Sequence, residues 1–376
     1  MPIFALDIIN VNQYIFMKRI LLCLLALWFL VPVAAQVRGK IDIPHLKGFV
    51  TLKCDFHIHT VFSDGNVWPT VRIAEAYREG LDAISITDHI EYRPHNGDVT
   101  ASHNRSFDLT ASYAKAAGII LIKGSEITRA MPPGHHNALF LTDSDPLDQK
   151  DYMDALREAK KQNAFIFWNH PGWDAQQPDT TLWWPEHTAL LEQGLMMGME
   201  VVNGGEYFPE AHQWCLEKNL TMLGNSDAHD PIQAQFDFAK GAHRTMTLVF
   251  AREATAEGIR EALNARRTAV YSGDYLIGKE LYLKELFEQA LNVKVERPTH
   301  TTARITIKNN SDLTFRLKKG PHDERLVYFR NYTIVPQGTH VITVKLQGGV
   351  QGGDLHFRVE NLLVQPNQGM DYTLKI

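Results

Sequence analysis

Cys54 to Gly65 read Cys-Asp-Phe-His-Ile-His-Thr-Val-Phe-Ser-Asp-Gly, a β-type run ending in two histidines one residue apart and an aspartate on the turn beyond. Alternate side chains of a strand share a face, so His57 and His59 are predicted to point the same way. Two imidazoles with Asp64 close behind can hold a divalent metal that one histidine cannot. The bland alternative is a pair of surface histidines on an edge strand. Four later stretches weigh against it, because each is an apolar β run that ends in His, Asp or Glu. They are Ile84 to His89, Ile119 to Glu126, Phe165 to His170 and Met222 to His229. Ligand-type residues at the C-terminal end of strand after strand are how a β/α barrel builds an active site.

Outward from this stretch, strand and helix patterns alternate as far as Gly273. Thr70 to Glu79 is predicted helical, opened by Pro69 and closed by Gly80, with Val71, Ala74 and Tyr77 on one apolar stripe. Asp108 to Ala117 is predicted helical with Asp108 as its N-cap, and a further strand is expected to begin at His135. His95 to Ser106 is polar and reads as a loop at the barrel mouth. The insertion Pro171 to Glu186 carries Trp173, Trp183 and Trp184, and reads either as a pocket wall or as a lid packed on its own body. Alternating β and α with short connections predicts a parallel barrel over residues 36–285.

The character changes near residue 298. Runs such as Ala303 to Lys308, Leu326 to Arg330, His340 to Leu346 and Leu355 to Glu360 alternate apolar and polar residues between turn signals. A small antiparallel, immunoglobulin-like sandwich over 298–376 is expected, with no catalytic group in it. The helical stretch Gly278 to Gln289 would bridge the two domains.

Composition narrows the class. Among 376 residues the formal net charge is -5, and no block of lysine or arginine stands out, which argues against duplex nucleic-acid binding. There are 17 histidines and 3 cysteines, a balance that favours imidazole and carboxylate sites over thiolate ones. Met17 to Gln36 has a basic start, a short apolar run and small residues at Val33 and Ala35, which predicts an export signal over 1–35 with 1–16 as an upstream extension. The apolar run from Ile20 to Val31 is shorter than the roughly 20 residues a bilayer span needs. The expected location is periplasmic or extracellular, with no membrane attachment after cleavage. Cys54 and Cys215 are expected as buried free thiols.

The candidate ligands are His57, His59, Asp64, His89, Glu126, His135 or His136, His170, Asp227 and His229. This mixture suits zinc, manganese or iron. It is too large for one tetrahedral ion, so two or three ions roughly 3.5–4 Å apart are expected. The pattern His57-Ile-His59 with Ser63-Asp64-Gly65, Thr87-Asp88-His89, Gly124-Ser125-Glu126, Gly134-His135, Asn169-His170-Pro171 and Ser226-Asp227-Ala228-His229 resembles the PHP (polymerase and histidinol phosphatase) domain over residues 50 to 275. The resemblance implies a distorted seven-stranded β/α barrel, a trinuclear metal site and hydrolysis of phosphate esters. By position, one metal would take His57, His59, Glu126 and Asp227. A second would share Glu126 and add His135 and His170, and a third would take Asp64, His89 and His229. Of the two adjacent histidines, His135 matches the family's Gly-His placement. The signal and trailing β domain resemble secreted bacterial phosphodiesterases of the Sb-PDE type.

A bridging hydroxide would be the nucleophile and a small-molecule phosphoester, most simply a diester, the substrate. Arg93, His103 and Arg129 are candidate substrate contacts. A phosphomonoesterase, a hydrolase of non-phosphorus esters or amides, and a binding module without turnover are the alternatives.

Overall fold

The computed structural model describes Phe16, Lys18 and residues 37–376, so the expected export signal lies almost wholly outside the described residues. Strands β1 (Val50–Asp55), β2 (Ala83–Ile86) and β3 (Ile120–Ile127) run parallel. Strand β4 (His136–Leu139) runs antiparallel to both β3 and β5 (Phe165–Trp168). From β5 the order continues in parallel through β6 (Gly198–Asn203) to β8 (Thr221–Asn225), with the short β7 (Glu206–Tyr207) turned back on β6.

These seven principal strands, β1 to β6 and β8, form a distorted barrel, and the expectation of a purely parallel one is corrected at β4. Only residues 128–135 separate β3 from β4, too few for the crossover that a parallel pair requires. The reversal places the start of β4 beside the C-terminal ends of the other six strands. All seven therefore open on one rim.

The seam between β1 and β8 is filled by β9 (Met246–Ala251) and β10 (Thr268–Ser272), with β11 (Tyr275–Gly278) beyond. Side chains tie β8 to this seam. Thr247 Oγ1 accepts from Gly224 N at 3.0 Å and donates to Gly224 O at 2.9 Å, and Thr268 Oγ1 donates to Met222 O at 2.7 Å. A Cβ on Gly224 would lie 2.2 Å from Val270 Cγ1, so only glycine lets the strands approach this closely.

The helix Pro69–Glu79 forms as expected, ended by Gly80 in the left-handed region. Its buried face is not the apolar stripe: Val71 is 36% exposed, whereas Arg72, Ile73, Glu75 and Ala76 are buried. Arg72 turns inward because carbonyls wait for it. Its Nε donates to His59 O at 2.9 Å, its Nη2 to Ala228 O and His229 O at 2.9 and 2.8 Å, and its Nη1 to Asp230 O at 2.8 Å and Glu75 Oε2 at 2.9 Å. The helix Arg105–Ala117 starts three residues before the predicted cap, so Asp108 lies in its first turn.

A second buried guanidinium, Arg244, bonds Asp55 Oδ2 at 2.9 Å and both oxygens of Glu79 at 2.7 and 2.6 Å. Asp55 in turn accepts from Ser226 N and Oγ at 3.1 and 2.6 Å. Burial pushes the Asp55 carboxyl up, and Arg244 and Ser226 counter that pressure.

The C-terminal sandwich starts earlier than residue 298. Its first sheet runs β12 (Leu291–Thr299), β13 (Thr302–Asn309), β17 (Thr339–Leu346) and β15 (Leu326–Val327). The second holds β16 (Asn331–Ile334), β14 (Phe315–Lys319), β18 (Asp354–Gln365) and β19 (Gln368–Lys375). It is not detached: β18 also pairs in parallel with β11, Leu276 opposite Leu362 and Ile277 opposite Leu363. The helix Glu280–Ala290 fills the junction, Phe287 packing on Phe315 at 5.0 Å and on Tyr372 at 4.8 Å between ring centroids. Cys54 and Cys215 are buried free thiols. No helix among the described residues is long and apolar enough to cross a membrane.

Replacing Arg244 with Met should strand Asp55 and Glu79 without their cation and destabilise the fold by about 3–5 kcal/mol. Denaturant titration checks this, and a loss under about 1 kcal/mol would contradict the bridging role.

Candidate metal centre

Strand β1 ends at Asp55, so His57 and His59 stand beyond it rather than on it. They still share a face, because the extended backbone there is pinned on both sides. Phe56 N donates to Asn225 Oδ1 at 2.9 Å, Ile58 N to Thr87 Oγ1 at 3.1 Å and His59 N to Ala228 O at 3.0 Å. The two rings lie 5.1 Å apart. The turn carrying Asp64 is held by Asp88, which accepts from Thr60 N at 2.7 Å and Ser63 Oγ at 2.9 Å. A Cβ on Gly65 would come within 2.7 Å of the His59 and Thr60 backbone, which explains the glycine after Asp64.

Glu126 is the centre of the cluster. Its Oε2 lies 3.3 Å from both His57 Nε2 and His59 Nε2 and 3.1 Å from His89 Nδ1. Its Oε1 lies 2.9 Å from His135 Nδ1 and 3.7 Å from His170 Nε2, and accepts from Asn169 Nδ2 at 2.8 Å. Asp227 Oδ1 sits 3.1 Å from His57 Nε2 and 3.0 Å from His59 Nε2. Asp64 Oδ2 meets His89 Nε2 at 3.4 Å and His229 Nε2 at 3.2 Å. His170 and Asp227 hold backbone φ of 28° and 50°, a region costly for residues other than glycine.

All nine expected ligand residues thus meet at the rim. Four sets have ligand atoms within 4.8 Å of one another: His59, Asp64, His89 and His229; His57, Glu126 and His170; His57, His59 and Asp227; His89, Glu126 and His135. Buried His59 Nε2 and Asp227 Oδ1 lack hydrogen-bond partners despite being 3.0 Å apart, and buried His170 Nδ1 lacks one too. Nitrogen and oxygen lone pairs left in this way, with one carboxylate shared between sets, fit divalent cations.

Charge within the cluster is divided unevenly. Burial would push Glu126 and Asp227 up, but His89 and His57 around the first, and His57 and His59 around the second, hold both well below the carboxylate range. Burial disfavours protonated His57, yet Asp227, Glu200 and Glu126 raise it. Burial, with His229 and His89 alongside, lowers His59 to about 3. His229 goes the other way, pushed up to about 9 against its burial by Asp64 and Asp227.

Of the paired histidines, His135 reaches Glu126. His136 is buried with its ring against Gly134 O, and burial lowers it to about 3. The proposed substrate contacts are not brought to the site. Arg93 donates to Phe62 O and Ala101 O, Arg129 is paired with Glu91 and bonded to Gln149 O, and His103 lies toward Asp148. Backbone carbonyls and Glu91 accept from the two arginines instead. Trp183 packs on Trp168 and Trp214 rather than forming a pocket wall. The cavity above the ligands measures about 310 Å³, and Tyr92, Thr128, Trp173 and Asn203 complete its lining.

Sequence reasoning missed Glu200, whose Oε1 meets His57 Nδ1 at 2.9 Å and whose Oε2 accepts from His170 N at 2.7 Å. The available signal was a lone carboxylate inside the apolar run Met199 to Val202. Asn203 was also missed; its Nδ2 donates to Glu200 Oε2 at 2.9 Å and Asp227 Oδ2 at 3.2 Å.

The PHP domain family matches residues 55–191, and a family described as an Ig-like domain matches residues 289–375. A two-domain protein from Bacteroides vulgatus, containing a predicted PHP-like metal-dependent phosphoesterase, is 58% identical over 91% of this chain and 100% of its own, with a TM-score of 0.90. A protein from Bifidobacterium adolescentis assigned to the metal-dependent phosphoesterases is 16% identical over 47% of this chain and 87% of its own, with a TM-score of 0.38. An amidohydrolase from Chromobacterium violaceum is 17% identical over 47% of this chain and 88% of its own, also with a TM-score of 0.38. No curated protein matches the chain.

Substituting His57 with Ala or Asp227 with Asn should remove bound metal and lower activity by orders of magnitude while circular dichroism stays native. Full metal content in either variant would sink the ligand assignment. Metal must also displace the protons that His229 and His57 hold. Affinity should therefore rise with pH, up to about 9 for His229. Calorimetry in buffers of different ionisation enthalpy should register proton release, and its absence would contradict the protonation of His229.

Proposed function

We propose, since this chain belongs to the PHP family of metal-dependent phosphoesterases, that it hydrolyses phosphodiesters at a site for two or three divalent ions. The observation that carries this reading is the Glu126 carboxylate, whose two oxygens are divided among five imidazoles at the floor of an open cavity. One ion would be held by His57, His59, Glu126 and Asp227, a second by Glu126, His135 and His170, and a third by Asp64, His89 and His229. Zinc, manganese or iron bound there would supply an activated water and neutralise charge on the phosphoryl oxygens.

The protein's own residues keep this arrangement rigid. Glu200 fixes the His57 ring through Nδ1, and a carboxylate behind a ligating imidazole sets its tautomer and orientation. Thr128 Oγ1, 2.5 Å from His89 Nδ1, does the same for His89. Asn169 and Asn203 orient Glu126 and Asp227 through single amide bonds.

Diesters are favoured by what the cavity lacks. Among the described residues no lysine or arginine lines it. A monoester dianion usually relies on such groups, above all bidentate arginine, for its free oxygens. A net charge of -5 further favours a small substrate over a nucleic acid. Export follows from the segment over residues 17–35, with action in the periplasm or outside the cell.

With zinc or manganese supplied, kcat/KM for bis(para-nitrophenyl) phosphate should exceed that for para-nitrophenyl phosphate by about tenfold or more. Preference for the monoester would leave a general phosphatase. Turnover of para-nitrophenyl acetate alone would move the protein to the carbonyl hydrolases.

A further inference from the structure

The metal cavity has a mouth whose chemistry differs from its floor. Two aromatic side chains stand there, against different ligand histidines. Tyr92 meets the His89 ring edge-on at 5.8 Å, and Trp173 meets His170 at 5.1 Å and His135 at 5.8 Å, also edge-on. Both line the cavity, and both remain open to solvent, at 54% and 42%. Large rings left uncovered beside a polar centre are poised to take a group from the substrate.

Two acids, Glu206 and Asp174, stand beside the mouth. Glu206 sits directly opposite Asn203 in the β6–β7 ladder, and directly opposed residues share a face. Asn203 lines the cavity, so Glu206 faces the same side. Asp174 follows Trp173 in the chain. Burial and the charge of Asp174 both raise the Glu206 carboxyl, which fits two acids near one another. Among the described residues neither acid has an ion-pair partner. Neither Arg93 nor Arg129 lines the cavity, and Arg129 is paired with Glu91.

Exposed aromatic faces together with unpaired carboxylates recognise an alkylammonium group, by cation–π attraction on the rings and Coulomb attraction from the acids. We infer that the mouth selects phosphodiesters in which one alcohol carries a quaternary or substituted ammonium, seated between Tyr92 and Trp173 and facing Glu206. This rests on the diesterase reading and specifies its substrate class. A neutral apolar substituent would use the two rings but gain nothing from the acids, and a substrate with a second anionic group would be repelled by them.

The test compares para-nitrophenyl phosphocholine with its neohexyl counterpart, in which carbon replaces the ammonium nitrogen and only the charge is lost. The choline ester should show kcat/KM on the order of tenfold higher, carried mainly by KM. Tyr92→Ala, Trp173→Ala and Glu206→Gln should each shrink that ratio toward one. Equal rates, a preference for the neohexyl ester, or a ratio unmoved in all three variants would overturn the inference. Calorimetric binding of phosphocholine against neohexyl phosphate reads the mouth without turnover. Tighter phosphocholine binding with no diester cleavage would leave the mouth assigned and the diesterase reading wrong. Cleavage of bis(para-nitrophenyl) phosphate with no choline preference in either assay would do the reverse.

Discussion

Arg72 is the constraint on which the metal centre depends. The segments that carry His59 and His229 belong to opposite ends of the barrel sequence, and both lie beyond the strands that deliver them. Loop backbone at such a place would ordinarily move, and a shift of about an ångström is enough to spoil a catalytic geometry. One guanidinium collects the carbonyls of His59, Ala228, His229 and Asp230, and a carboxylate of its own helix balances its charge. Arg244 repeats the device one layer deeper, between Asp55 and Glu79. Buried cations are costly unless nearly every donor is satisfied, and here the satisfied donors are what fix the ligands in space.

The centre itself was legible because its grammar is local. Most of the ligands follow an apolar run, and the Gly-His placement shared with the PHP family separates His135 from His136 without any tertiary information. What escaped was whatever depended on partners distant in the chain. Arg72 and Glu75 look like solvent-facing residues of an amphipathic helix, and a loop some 150 residues away turns them inward, its carbonyls accepting from Arg72 and its Ile232 N donating to Glu75. Glu200 stood out in an apolar strand, but nothing near it in sequence announced His57 as its partner. The arginines chosen as phosphate contacts were plausible by charge alone, and the fold spends their donors on neighbouring carbonyls.

The aromatic residues show the same limit. Trp173 and Trp183 occupy one insertion and cannot be told apart by composition. The first faces the cavity because it follows directly on His170 and Gly172. The second is drawn into the core by Trp168 and Trp214. Tyr92, on a polar loop after His89, gave no sign of its place. The direction of β4 was hidden as well, although the short link before it contained the answer.

The continuity of β18 with β11 carries a consequence for how this chain can be divided. Without β18, β11 would present a row of bare backbone amides and carbonyls at the margin of the barrel, and such a margin is a template for pairing with foreign strands. The trailing sandwich therefore covers that margin as well as extending the chain. A truncation placed at the apparent domain junction would produce a sticky protein rather than a minimal one.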